Sequence, residues 1–318
     1  MPKASIIIVT HNRPRLLLRA IESLRHAGTD VEIVVVDNAS SDETAGVCRS
    51  LPEIKYIRID RHQALGSARN VGLAASEGEY VGFLDDDDAR LASSIDLQLE
   101  ILEREPSAGF VYGQAIISDP DGRQLHSYPR DCAQGDVFWK LLERNFIPSG
   151  SVIYRRRCFS AVGLFDQIPA LADWDLCLRI AELYPVVALN APVMIWRQST
   201  PLSGQVTSDA ARVVSLSVAQ FRNWMKLPRA AAASRGKARA TWRAFSENMA
   251  EHLIYESARA LRFGDLRQTT KNLTVICRLH WLATLRIARK RADKLPDAFR
   301  SIWKRTIPNP KIENQVSK

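Results

Sequence analysis

Four consecutive carboxylates, Asp85-Asp86-Asp87-Asp88, follow directly on the apolar run Tyr80-Val81-Gly82-Phe83-Leu84. Like charges this close repel, and each pushes up the pKa of its neighbours. Asp88 could cap a helix beginning near Leu91, but capping uses one carboxylate and not four. A calcium EF-hand is excluded, because the sixth position of a loop starting at Asp85 is Arg90 and the twelfth is Asp96. The chemistry that suits the run is a hard divalent cation such as Mg²⁺. Such ions take one or two carboxylates together with substrate phosphates, which relieves the repulsion. Thr10-His11-Asn12 and Asp37-Asn38 are two further polar groups, each placed directly after an apolar run.

The elements that must position these groups are legible from periodicity. "ASIIIVT" (4–10), "VEIVVVD" (31–37), "IKYIRID" (54–60) and "YVGFL" (80–84) read as strands, the first of them buried on both faces. Between them, "PRLLLRAIESLRHAG" with Leu17, Ile21 and Leu24 at helical spacing, "SSDETAGVCRSL" (40–51) and "GSARNVGLAAS" (66–76) read as helices. Alternating strand and helix predict an α/β domain with right-handed crossovers and a largely parallel sheet. Ligands of such sheets sit outside the carboxyl ends of the strands, so the three polar groups are expected on one edge. Each alone also fits a turn or a cap; their convergence is the stronger signal. The G-x-G-x-x-G of a dinucleotide site does not follow the first strand.

"SIIIVTHNRP", "VEIVVVDNASSDET", "GSARNVGL" and "YVGFLDDDD", in this order, resemble the nucleotide-binding half of a family-2 glycosyltransferase of the GT-A fold, and the resemblance runs over residues 3–205. It implies a nucleotide-sugar donor, with Asp37 accepting a bond from the nucleobase and Asn38 beside it. Thr10, His11, Asn12 and Arg13 would lie along base and ribose, and Arg69 near the phosphates. Asp85 and Asp86 would face the ribose and metal-bound waters. Asp87 would ligate Mn²⁺ or Mg²⁺ through the diphosphate, with the register within Asp85–Asp88 open by one.

Farther on, residues 109–118 and 149–156 read as strands. "VGLFDQIPALADWDLCLRIAE" (162–182) resembles the family's G-x-F-D stretch followed by E-D-x-D-L. Leu176, Ile180 and Leu183 recur at helical spacing, and Asp173 and Asp175 fall near the helix start, where negative charge is favoured. By the match, Asp173 is the catalytic base of an inverting displacement at the anomeric carbon; base assistance of this kind contributes about 10²–10⁴-fold. The competing reading makes Asp173 an N-cap and Asp175 a structural carboxylate. Two departures stand out: Ala172 replaces the usual Glu, and "WRQSTPLSG" (196–204) lacks the His of the family's closing segment.

The chain has 318 residues and a net charge of +9 that hides an asymmetry. Residues 210–318 carry 23 Lys and Arg against 7 Asp and Glu, +16, whereas residues 1–209 carry 21 against 28, −7. An acidic body therefore bears a basic, helical tail. The expected organisation is a nucleotide-sugar-binding half (1–100), an acceptor-binding half (101–207) and a basic helical region (208–318). Five scattered cysteines without a C-x-x-C imply reduced thiols and a cytosolic setting. No signal peptide or membrane-spanning helix is expected; the nearest candidate, "YPVVALNAPVMIW" (184–196), is short and broken by two prolines. Residues 273–291 form a basic amphipathic segment that either packs on its neighbour or lies peripherally on the inner face of a membrane, which would suit a lipid-linked acceptor. No recognised nucleic-acid motif accompanies the positive charge, so nucleic acid is not the expected partner. The functions consistent with this reading are an inverting, metal-dependent glycosyltransferase of cell-surface polysaccharide, glycolipid or glycan synthesis; a non-catalytic adaptor with a degenerate transferase domain; and a nucleotidyltransferase, which the missing Gly- and Lys/Arg-rich loop disfavours.

Overall fold

A computed structural model describes residues 1–119, 122–168, 170–197, 209–262 and 264–291, with 280–291 as helical backbone. The first half is β1 (Ala4–Thr10), α1 (Pro14–Leu24), β2 (Val31–Asn38), α2 (Thr44–Arg49), β3 (Ile54–Ile59), α3 (Leu65–Ala75) and β4 (Tyr80–Asp85). The second comprises β5 (Ala89–Arg90), α4 (Ser94–Arg104), β6 (Phe110–Ser118), β7 (Gln124–Tyr128), α5 (Phe138–Glu143), β8 (Ile153–Arg155), α6 (Arg157–Val162), α7 (Ala172–Leu183) and β9 (Val186–Arg197). Helices α8 (Ala210–Trp224), α9 (Pro228–Ala231), α10 (Arg235–Arg262) and α11 (Leu266–Arg291) follow.

The strands form one mixed sheet in the order β3-β2-β1-β4-β8-β6-β9-β5, with β7 beside β6. The β3-β2-β1-β4 half is wholly parallel, as the alternating pattern requires. Beyond it, β8 runs antiparallel to both β4 and β6, while β9 returns parallel to β6. Ile6, Ile8, Val35 and Leu84 face α1 and α4 and bury Leu17, Ile21, Ile95 and Leu99; each such side chain contributes about 1.5–3 kcal/mol. On the opposite face α3 lies close against the sheet. A Cβ on Gly72 would come within 2.4 Å of Ile7 and 3.0 Å of Val36, so glycine is what permits that approach.

Several elements differ from the sequence expectation for local reasons. The helix expected over 40–51 is confined to Thr44–Arg49, because Ser40 and Ser41 are drawn into hydrogen bonds with Asp37 and Asn12. The strand expected over 149–156 is only Ile153–Arg155, preceded by a 3-10 turn, Ser149–Ser151. Residues 184–196, weighed above as a membrane candidate, supply the long strand β9, and its pairing with β6 shifts register around Pro192, which lacks an N–H to donate. Among the described residues no helix is long and apolar enough to cross a membrane.

The chain forms two compact units, Met1–Phe245 and Ser246–Lys318. Within the first, Trp174, Trp224, Phe221, Trp242 and Phe245 stack with successive ring centroids 4.5–5.1 Å apart between neighbours Trp174–Trp224, Phe221–Trp242 and Phe221–Phe245. The cluster fixes α8 on α7. Gly236 falls inside the first turn of α10 and does not break it. Gly264, at φ 74, separates α10 from α11, and Asp265 then caps α11 by accepting the Gln268 N–H at 2.8 Å.

Candidate active site

The carboxyl ends of β1, β2 and β4 lie side by side, so the three polar groups do share one edge of the sheet. Asp37 ends β2 and is fully buried. One of its oxygens accepts the Ser40 N–H at 2.8 Å, and the other accepts the Tyr56 hydroxyl and the Arg58 guanidinium, both at 2.9 Å. Arg58 stands opposite Asp37 in the β2–β3 register. Burial by itself would raise this carboxyl's pKa, but the bonds from Ser40 and Tyr56 and the charge of Arg58 outweigh it and hold the pKa below the usual value. Asn38 exchanges two hydrogen bonds with the Gln63 backbone, each 2.9 Å. Asn12, at φ 55, accepts the Ser41 N–H at 2.7 Å and donates its own backbone N–H to Ser40. His11 Nδ1 lies 2.9 Å from the Asn38 carbonyl, and its ring meets His62 edge-on at 4.7 Å. Asn12 and Asn38 thus tie together the loops that wall this edge.

The four aspartates divide between two directions. Asp86 turns under β1, where Thr10 donates to it at 2.8 Å and Arg13 at 3.2 Å; Arg13 also reaches Asp87 at 3.5 Å. Burial, and after it the charges of Asp87 and Asp85, push the Asp86 carboxyl up to about 6 against the pull of Thr10 and Arg13. Asp85, Asp87 and Asp88 each offer an oxygen within 4.8 Å of the others. Asp88 does not cap α4, which begins at Ser94; it accepts the Arg197 backbone N–H at 2.9 Å and so pins the end of β9 to the cluster. Burial and the charges of Asp85 and Asp87 raise its pKa well above normal. Three hard oxygen donors gathered this closely fit a divalent cation. They comprise Asp87, the residue the family resemblance implied, together with Asp85 and Asp88.

Arg69 links this cluster to α7. Its guanidinium is buried, lies 5.9 Å from the Phe83 ring and 5.6 Å from the Phe165 ring, and donates to Asp85 at 2.8 Å. Burial opposes its charge, and the nearby carboxylates of Asp85 and Asp173 sustain it. Asp173 occupies the first turn of α7 and is half-buried. Burial raises its pKa, Arg69 opposes the rise and Asp85 adds to it. Asp175, two residues on, is spent on structure: it pairs with Arg179 at 2.8 Å and accepts Trp224 Nε1 at 2.8 Å and Gln220 at 3.2 Å. Of the two acids, Asp173 is the one left facing Arg69 and Asp85.

Three contributors carried no assigned role in the sequence reading. Tyr56 and Arg58 are two residues apart on β3, which places both on the Asp37 side. Asn70 follows Arg69 and clamps the Phe165 backbone through both ends of its amide, donating to the carbonyl at 2.9 Å and accepting the N–H at 3.0 Å. Gly66 allows that approach, since a Cβ there would come 2.7 Å from the Asp166 carbonyl. The loop so held leads directly into α7. The missing histidine of "WRQSTPLSG" concerns positions beyond Arg197 that fall outside the described residues; Ala172 is buried at the start of α7.

Known proteins share this arrangement to different depths. TarS from S. aureus (residues 1–349, solved with UDP-GlcNAc) superimposes with a TM-score of 0.61 at 15% identity, covering 87% of this chain and 80% of that one. The mannosyltransferase PcManGT from Pyrobaculum calidifontis, solved with GDP-Man and Mn²⁺, gives 0.53 at 17%, covering 89% and 87%. At these identities the likeness establishes the GT-A fold. In sequence, chondroitin synthase of Escherichia coli is 25% identical over 201 residues, 60% of this chain and 28% of that protein. An uncharacterized glycosyltransferase of Bacillus subtilis, YwdF, is 32% identical over 207 residues, 61% and 74%. The GalNAc(5)-diNAcBac-PP-undecaprenol beta-1,3-glucosyltransferase of Campylobacter jejuni is 38% identical over 125 residues, 37% and 39%. The chain thus spans less than half the length of two of these three relatives. The model of glycosyl transferase family 2 matches residues 5–163, the stretch that builds β1 to β4, the aspartate cluster and Asn70. On that match and the YwdF likeness, the chain belongs to glycosyl transferase family 2.

Proposed function

We propose that this protein transfers a sugar from a nucleotide-sugar donor, expected to be UDP-linked, to an acceptor hydroxyl with inversion, in the assembly of a cell-surface polysaccharide, glycolipid or glycan. The observation that carries the reading is that Asp173, in the first turn of α7, lies within electrostatic range of Arg69, which itself donates to Asp85 of the oxygen trio Asp85, Asp87 and Asp88. Residues 1–100 would hold the donor, residues 101–207 the acceptor, and residues 208–318 would form a helical appendage. Asp37, Asn38, Thr10, His11, Asn12 and Arg13 line the nucleoside side, with Asp86 fixing Thr10 and Arg13 beneath it. Asp173 accepts the proton of the acceptor hydroxyl as its oxygen attacks the anomeric carbon. Burial raises its pKa, the direction that makes a carboxylate a stronger base. Arg69 favours the ionised form of Asp173 and would add positive charge on the side where the nucleoside diphosphate departs. A bound Mn²⁺ or Mg²⁺ would be held by Asp85, Asp87 and Asp88 and would supply charge neutralisation for the diphosphate.

The ligands of the two structural neighbours, UDP-GlcNAc and GDP-Man with Mn²⁺, support a nucleotide sugar and a divalent cation. The Campylobacter relative, whose name specifies a PP-undecaprenol substrate, supports a lipid-linked acceptor, which would place the enzyme in the cytoplasm at the inner membrane face. The test is calorimetric binding of UDP, GDP and dTDP, with and without Mn²⁺, to the wild type and to Asp87→Ala. Metal-dependent binding of one nucleotide, weakened at least about tenfold in the variant, is the expected result. Failure of all three to bind, with metal present, overturns the donor site and favours an adaptor.

A further inference from the structure

Helix α11 has an unusual charge pattern. From Leu266 to Arg291 it contains seven lysines and arginines and no aspartate or glutamate. Where its side chains are described, the helix has two distinct sides. Thr269, Asn272 and Ile276 are buried. On the other side, Leu266, Thr270, Leu273 and Cys277 recur at helical spacing and are exposed, the two leucines at 67% and 51%. Arg267, Lys271, Thr274 and Arg278, each one position later, form the adjoining exposed line. An apolar stripe and a basic stripe therefore run side by side along one open face. In the same unit Tyr255 and Leu261 of α10 are also exposed.

We infer that this face of α11 docks on the surface of an anionic phospholipid bilayer. The cations alone would attract any polyanion. Two leucines held in water beside them gain only from a partner that is anionic and apolar within a few ångströms. A bilayer interface offers both, with headgroup phosphates at the level of the guanidinium groups and the acyl boundary just below. A nucleic-acid backbone would satisfy the arginines and leave the leucines in water. A second copy of the chain would bring together two regions of +16. The inference goes beyond the donor-site reading and does not depend on it, since docking requires neither nucleotide nor metal.

The experiment is co-sedimentation of the full chain with phosphatidylcholine vesicles, with and without phosphatidylglycerol, at low and high salt. Binding is expected only to the phosphatidylglycerol-containing vesicles and to be released by salt. Two double variants separate the stripes: Leu266→Ser/Leu273→Ser and Arg267→Glu/Arg278→Glu. All four positions are exposed, so both variants should retain the wild-type circular dichroism and melting profile. Each pair should weaken partitioning by about tenfold or more, while Arg267→Lys/Arg278→Lys should retain it. Absence of vesicle binding, or equal binding to neutral vesicles, overturns the proposal. So does binding that needs the arginines but ignores the leucine pair, the behaviour of a general polyanion site such as one for RNA. Self-association in ultracentrifugation that the leucine pair abolishes, without vesicle binding, would assign the face to a second copy instead.

Discussion

Asp37 and Asp86 stand at or just past the ends of β2 and β4, the strands that flank β1, and both are buried. Their electrostatics are opposite. Asp37 is met by Ser40, Tyr56 and Arg58, and its pKa falls. Asp86 is met by Thr10 and Arg13 but lies beside three other carboxylates, and its pKa rises to about 6. The contrast recurs in α7, where Asp175 is satisfied by Arg179, Trp224 and Gln220, while Asp173 remains above its ordinary value. In each pair one acid is supplied with fixed donors and the other is left undersupplied. In α7 the satisfied acid, Asp175, ties α8 to α7, and the perturbed one, Asp173, is the acid we propose takes a proton.

The sharpest way to break this division is to exchange the fates of the two acids in α7. Asp173→Asn should lower kcat by about 10²–10⁴-fold in a sugar-transfer assay, with UDP–Mn²⁺ affinity within about twofold of wild type because the residue is not among the cluster's oxygen donors. Asp175→Asn should do the reverse. It strips the negative partner from Arg179, so its main effect should be a lower melting temperature. Full turnover in Asp173→Asn would sink the assignment of the base.

A smaller effect is expected where the acid is untouched and only its support is removed. Asn70→Ala deletes both bonds to the Phe165 backbone and loosens the loop that enters α7. Misplacing a catalytic group by about an ångström costs roughly 10²-fold, so kcat should fall about 10–100-fold while nucleotide affinity changes little. Asn70→Asp keeps the acceptor for the Phe165 N–H and should recover part of the loss. Equal losses in kcat and in UDP binding would mean that Asn70 supports the donor site as a whole.

The strand-end pair can be sharpened by denaturant unfolding of the metal-free protein. Asp37→Ala leaves the Tyr56 hydroxyl and the Ser40 N–H without their acceptor and should cost about 2–3 kcal/mol. Asp86→Asn keeps an acceptor for Thr10 and removes a charge that burial penalises, so stability should change by less than about 1 kcal/mol or rise. Similar losses at both positions would erase the distinction.

How much of this was legible in the sequence follows the range of the interactions. The parallel half was readable because each β-branched run is its own strand, and because parallel order brings Thr10, Asp37 and Asp85 to one edge without further information. The second half was harder. The strand β9 reads as an apolar run interrupted by prolines, and only its pairing with β6 settles what it is. Within the aspartate run, sequence identified the chemistry and could not divide the labour. Asp88 took up the Arg197 N–H, a partner 109 residues away, instead of capping the helix that begins at Ser94. The Asn70 clamp spans 95 residues, and nothing local distinguishes that asparagine from a solvent-facing one. Spacing alone did not separate Asp173 from Asp175, although the family resemblance did; the Gln220 and Trp224 bonds that engage Asp175 come from α8, 45 and 49 residues on.

The smallest predicted effect is a displacement of the pH profile. Asp173 acts as a base only when ionised, so kcat should fall as pH drops through its pKa. Burial is the chief cause of the raised value, so the acidic limb should lie above the range of an exposed carboxylate. Arg69 opposes the rise by favouring the charged form. Replacing it with glutamine removes that support, and the limb should move to still higher pH. If burial were the whole cause, Arg69→Gln would lower kcat at every pH and leave the midpoint in place. The direction of the movement, measured under saturating Mn²⁺ and donor, therefore reports whether Arg69 sets the protonation of the base or only holds Asp85.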